Sequence, residues 1–231
     1  MWRQAILRIW TENKGLPLCW KIPAILLMIS GGIFLKEFPY TIVLALGVPF
    51  MEAAMDVTFS PVEDFLPRTA GQRKRMDARE SILLAGIYTF AITLGYVVWF
   101  CRREGYPWEG ETIFFLVKIT VFLFLIFFNI RMCFIQAVIC AGENSAYLLG
   151  GEVRAWERRA KRGIAELLGG IYCSYAGLFY LLFYTLGVFS NVKQFKFLVE
   201  SQWKFAYVFG GIIFILLCLQ TAWIWRQKYE C

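Results

Sequence analysis

Glu52, Asp56, Lys118, Asn129 and Gln136 fall within or at the edge of strongly apolar stretches, and any chemistry this chain performs starts from them. An ionisable group in hydrocarbon is costly, so it either meets a structural partner or marks a route for ions or substrate. Glu52 and Asp56 are four residues apart, which puts both carboxylates on one face of a helix. Two readings stay open for them: neutralisation by Arg73 or Arg75 of the basic segment that follows, or a role in substrate passage or gating. By helix rise, Lys118 lies about two turns inside its run, near enough to the edge for its ammonium to snorkel outward. Asn129 and Gln136 share a helical face, where they serve interhelical hydrogen bonding or line a transport pathway.

Little else is available for catalysis. The chain has no histidine, which removes the commonest general base and the commonest metal ligand. Its seven cysteines are scattered, without C-x-x-C spacing, and read as small apolar side chains. There is no G-x-x-x-x-G-K-[ST] phosphate loop, no G-x-S-x-G elbow and no H-E-x-x-H pair. No catalytic residue, metal or cofactor is therefore assigned, and the chain is expected not to be an enzyme.

These residues must be positioned by a membrane fold. A chain of 231 residues that is 59% hydrophobic and 18% aromatic cannot bury that much apolar surface in one soluble domain. The expected fold is an all-α polytopic membrane protein, one transmembrane domain over 1–231. Six spans of roughly membrane length are read at 16–35, 38–55, 82–101, 112–131, 164–187 and 205–225. The apolar character of the fourth continues to Cys140, so that helix should protrude or tilt. Ahead of them, 1–15 reads as an amphipathic interfacial helix. Trp2, Ala5, Ile6, Ile9 and Trp10 lie on its lipid side, and Arg3, Gln4, Arg8 and Glu12 on the other. Lys21, at the start of the first span, is expected to snorkel. The segment 188–203, punctuated by Lys193 and Lys196, is expected to dip into the opposite interface.

The net charge of +7 points to lipid rather than nucleic acid, because the basic residues cluster between apolar runs. They concentrate on the side of the termini and of the loops 57–81 and 141–163. The positive-inside rule therefore puts both termini in the cytoplasm of a multi-pass plasma-membrane protein.

The loop 57–81 carries more design than a tether needs. Ser60-Pro61-Val62-Glu63 reads as a capping box with proline at the first helical position, and Thr69-Ala70-Gly71-Gln72 as a second box. A helix beginning after Thr69 runs straight into the third span. Within this loop, Asp64, Leu66, Pro67, Arg73 and Lys74 match in type a stretch of the form D-x-L-L-P-[LV]-S-x-x-[ER]-[RK], while Arg68-Thr69 departs from it. That stretch follows the second span in membrane subunits of type-2 ABC exporters, which the chain also resembles in overall plan.

The resemblance implies a permease without its own engine. Two such chains, identical or paired with a related permease, would enclose the substrate route, and a separate ATP-binding subunit would dock on a cytoplasmic coupling helix between spans two and three. It assigns ATPase coupling to Asp64, Phe65, Leu66, Pro67, Arg73, Lys74 and Arg75. Phe65 and Leu66 form the apolar plug, and the basic trio supplies steering. A non-transporting membrane scaffold and an intramembrane lipid-modifying enzyme are the alternatives. The cargo, its direction and the choice between homodimer and heterodimer are left open.

Overall fold

In the computed structural model the described residues are 2–11, 18–34, 70–102, 110–142, 169, 170, 172, 176, 177, 179–181 and 193–226, and every one of them is helical. The helices are α1 (Trp2–Thr11), α2 (Leu18–Phe34), α3 (Ala70–Arg102), α4 (Gly110–Gly142) and α5 (Lys193–Arg226). Three of them are long and apolar enough to cross a membrane, over Lys74–Trp99, Leu116–Ile135 and Val208–Arg226. The described part of this membrane-embedded chain is thus all-helical, with no strand among the described residues. Residues 38–55 and 143–163 lie outside the described residues, as do Glu52, Asp56 and 57–69.

Each long helix follows from its local sequence. α3 begins at Ala70, one position after Thr69 of the second predicted capping box. It then runs unbroken for 33 residues, about 50 Å at 1.5 Å per residue. Its buried side chains Glu80, Leu84, Tyr88, Ile92, Tyr96 and Trp99 recur every three or four residues, one stripe down one face. α4 is equally long and reaches Gly142, as the apolar run past Arg131 predicts. α5 covers Lys193–Arg226, so residues 193–203 of the segment expected to dip into the interface are helical and continuous with the last apolar run. Its sequence explains the continuity, because Lys193 to Phe209 contains neither glycine nor proline to stop a helix. In α2, Pro23 withholds one N–H from the ladder, and the apolar stretch Cys19–Ser30 is shorter than the other three.

α4 is the central helix. Of its most apolar window 67% is buried, against 50% for α3 and 22% for α5. It packs on α3 along one side and on α5 along another, while α3 also receives α2 and α1. Thr93 meets Thr120 and Tyr88 meets Phe127, so numbering falls on α4 as it rises on α3 and the two are antiparallel. Phe122 meets Phe214 and Cys133 meets Gln220, so α4 and α5 run parallel. The start of α3 and the end of α5 therefore share one end of the bundle.

Candidate functional site

At that shared end, four helices are tied by charged side chains turned inward. Ala5, Arg8 and Ile9 form the buried stripe of α1, at i, i+3 and i+4, against the first turns of α3. The Arg8 guanidinium Nη1 lies 2.8 Å from Glu80 Oε1, with both side chains almost fully enclosed. From α2, the buried Lys21 ammonium donates to the Ile9 carbonyl at 3.1 Å. That carbonyl is in the last turn of α1, where backbone acceptors lack intrahelical partners and a cation also meets the negative end of the helix dipole. Lys74 performs the same service across the bundle. Its ammonium donates to the carbonyls of Ile224 (2.8 Å) and Trp225 (3.0 Å) at the end of α5.

Two expectations are corrected here. Lys21 does not snorkel to a surface, because an orphan helix-end carbonyl within reach offers a better partner. Arg8 does not lie on the solvent side of α1, because Glu80 on the buried stripe of α3 draws it inward. Trp2, Ile6, Leu7 and Trp10 are left exposed on the outside of that helix instead. Trp2 meets Arg79, whose guanidinium carbon stands 5.7 Å from the ring centroid.

A second set of polar contacts lies within the apolar layer. Asn129 Nδ2 donates to the Leu217 carbonyl at 3.2 Å, and Thr221 donates to Asn129 Oδ1 at 2.9 Å. The same Thr221 hydroxyl lies 2.8 Å from the Leu217 carbonyl, so one proton serves two acceptors in a compact knot between α4 and α5. Thr120 donates to Leu116 in its own helix at 2.7 Å, which makes Thr93 the donor in its 3.0 Å bond to Thr120. Lys118 does not snorkel free. It donates to the Tyr180 hydroxyl, and its ammonium lies 4.9 Å from the centre of that ring. Tyr180 in turn packs among Phe122 and Phe209, at centroid distances of 5.6 and 6.1 Å. Its ring lies over Gly210, where a Cβ would collide with it. Lys118 is thereby held by a ring that already fills the joint between α4 and α5.

The predicted residues therefore divide. Lys74, Arg75, Lys118 and Asn129 are described with their side chains, and Arg73 and Gln136 only as parts of α3 and α4. Glu52, Asp56, Asp64, Phe65, Leu66 and Pro67 lie outside the described residues. Of the basic trio, Lys74 is turned onto α5 and Arg75 is exposed. The structure brings Asn129 to α5, as interhelical hydrogen bonding requires, and separates it from Lys118 by roughly three helical turns. Sequence reasoning missed Arg8, Glu80 and Tyr180. For Glu80 a signal existed, since it is in register with Leu84, Tyr88 and Ile92 on the stripe that becomes buried.

No cluster of three or more metal-ligating side chains occurs among the described residues. Comparison with protein-family models, curated proteins and solved structures finds no match. Function must be argued from the geometry alone.

Proposed function

We propose that the chain is the permease subunit of a transporter of the ABC-exporter type, and that α3 carries motion into the membrane. The observation that supports this reading is the unbroken helix Ala70–Arg102, with Lys74 near its base bonded to the terminal carbonyls of α5. A force applied just ahead of Ala70 has no joint in α3 at which to dissipate. Through Lys74 it also bears on the last apolar helix, and through the packed α3/α4 and α4/α5 faces on the centre of the bundle. On this reading there are six spans, both termini are cytoplasmic, and two permease chains enclose the route. A separate ATP-binding subunit engages Asp64, Phe65, Leu66 and Pro67, with the exposed Arg75 steering it. Asn129 then faces the joint with α5 rather than an open channel. The polar knot at Asn129 favours a structural over a conducting role.

The test is co-expression with a candidate ATP-binding subunit from the same organism. Phe65→Ala with Leu66→Ala should lower ATP turnover of the complex by tenfold or more while the membrane chain stays folded. Lys74→Met should lower turnover with little loss of complex, since it acts after docking. Unchanged turnover in both variants refutes the permease reading and leaves the scaffold.

A further inference from the structure

Helix α1 has the polarity of a soluble amphipathic helix turned inside out. Its buried stripe carries a guanidinium, and its exposed stripe carries Trp2, Ile6, Leu7 and Trp10, each between 36% and 49% exposed. Further tryptophans stand out at the same end of the bundle: Trp20 at the start of α2, and Trp223 and Trp225 at the end of α5. The apolar windows of α3 and α5 also stop at this end, at Lys74 and Arg226. A ring of exposed tryptophans where apolar spans end is the pattern of a headgroup layer.

Charge says which headgroup. At this end the described acidic residues, Asp77 and Glu80, are buried, and Glu80 is paired with Arg8. Of the other described cations at this end, Arg3, Arg75 and Arg226 are exposed and Arg79 is half-buried against Trp2, while the half-buried Lys74 is turned onto α5. Arg79 stands over the face of Trp2, and a guanidinium stacked on a ring keeps its in-plane N–H edges for acceptors. Arg3 follows Trp2 on α1 and is exposed. Arg79 and Trp2 thus meet where α1 packs on α3, and the exposed Arg3 is the next residue of α1. We propose that this corner, Trp2, Arg3 and Arg79, is a binding site for a net-negative phospholipid headgroup. The indole lies at headgroup depth, and the two guanidiniums bind the anionic oxygens of one lipid. Such a lipid bridges α1 and α3 from outside, as Arg8 and Glu80 bridge them from inside. The proposal needs only the membrane-embedded fold and is independent of any transport role.

The test uses the full chain in nanodiscs of phosphatidylcholine. A small fraction of brominated phosphatidylglycerol or brominated phosphatidylcholine is added, and quenching of the fluorescence contributed by Trp2 is taken as wild type minus Trp2→Phe. Phosphatidylglycerol should quench this component in preference to phosphatidylcholine. Each basic residue near an anionic surface contributes about fivefold to lipid association, so the preference should exceed fivefold at low salt and shrink as salt is added. Arg3→Gln, which alters an exposed side chain, should reduce it several-fold, and Arg79→Lys should retain more of it than Arg79→Gln. Should Arg79→Gln loosen α1, Arg3→Gln and the wild-type salt titration still decide. Equal quenching by the two lipids, or a preference unaltered by Arg3→Gln and by salt, overturns the assignment.

Discussion

Removing the carboxylate of Glu80 should release α1 from the bundle. Arg8 and Glu80 are in contact at 2.8 Å, with side chains only 5% and 2% exposed. At that distance, with an effective dielectric constant near 20, their gross attraction is about 6 kcal/mol. Desolvation of both charges offsets much of it, so the pair adds little net stability over a well-packed apolar couple. Losing one partner is different. Glu80→Ala takes from the buried guanidinium its contact with Glu80, at a cost of up to about 3–5 kcal/mol. The cheapest relief is for α1 to lift away and hydrate Arg8, since its other buried side chains are small or few: Ala5 and Ile9. Amide hydrogen exchange read helix by helix in nanodiscs is the direct assay. A local loss of 3 kcal/mol corresponds to exchange about a hundredfold faster across Ala5 to Trp10, with the centre of α4 unchanged. The double variant Arg8→Met with Glu80→Leu removes both charges together and should restore protection to within about tenfold of wild type. Acceleration of less than fivefold in Glu80→Ala would mean that the pair is hydrated and does not hold α1.

Other substitutions separate the remaining contacts. Gly210→Ala drives a methyl into the ring of Tyr180 and should cost about 1–3 kcal/mol in thermal or denaturant unfolding, with the Lys118 contact disturbed as well. Its neighbour is the control: a Cβ at Gly211 meets nothing within 4 Å, so Gly211→Ala should be neutral or stabilising by up to about 1 kcal/mol. Asn129→Leu and Thr221→Val should each destabilise by about 0.5–1.5 kcal/mol. Their double-mutant cycle should show a coupling of about 0.6 kcal/mol, and a coupling of zero removes the knot between α4 and α5. Lys74→Met deletes two charge-assisted bonds at a partly exposed site, for a loss of about 1–2 kcal/mol. Faster hydrogen exchange in the last turn of α5 should accompany it.

What the sequence made legible, and what it hid, follow from the range of the forces involved. The apolar runs at 82–101, 112–131 and 205–225 are overlapped by the three long helices, because length and hydropathy are local properties. The helix running from the polar segment into the third apolar run is legible for the same reason, since 70–102 is helical without a break. The interhelical use of Asn129 was readable because a polar amide in lipid has few other options. By contrast, residue type alone makes Arg8, Lys21 and Lys118 cations seeking water, and each meets a partner outside its own helix: Glu80, the Ile9 carbonyl and Tyr180. Composition states what a side chain would do alone, whereas these contacts depend on which helix end is brought beside it.

The direction in which the sequence misled is itself informative. Arg8 and Lys21 were expected on surfaces and became ties of α1 to α3 and to α2, while Lys74 ties α3 to α5. In lipid, apolar packing gives helices little reason to prefer one another over acyl chains, so specific association falls to polar contacts and close packing. Charged ties at the bundle end fix the helices there. The deeper contacts, Asn129 with Thr221 and Thr93 with Thr120, use neutral groups whose burial costs less. A bundle tied by charges at one end and by amides and hydroxyls farther in is stiff at its base. Stiffness there is what the proposed permease role requires, and the Lys74 tie is where it is most exposed to test.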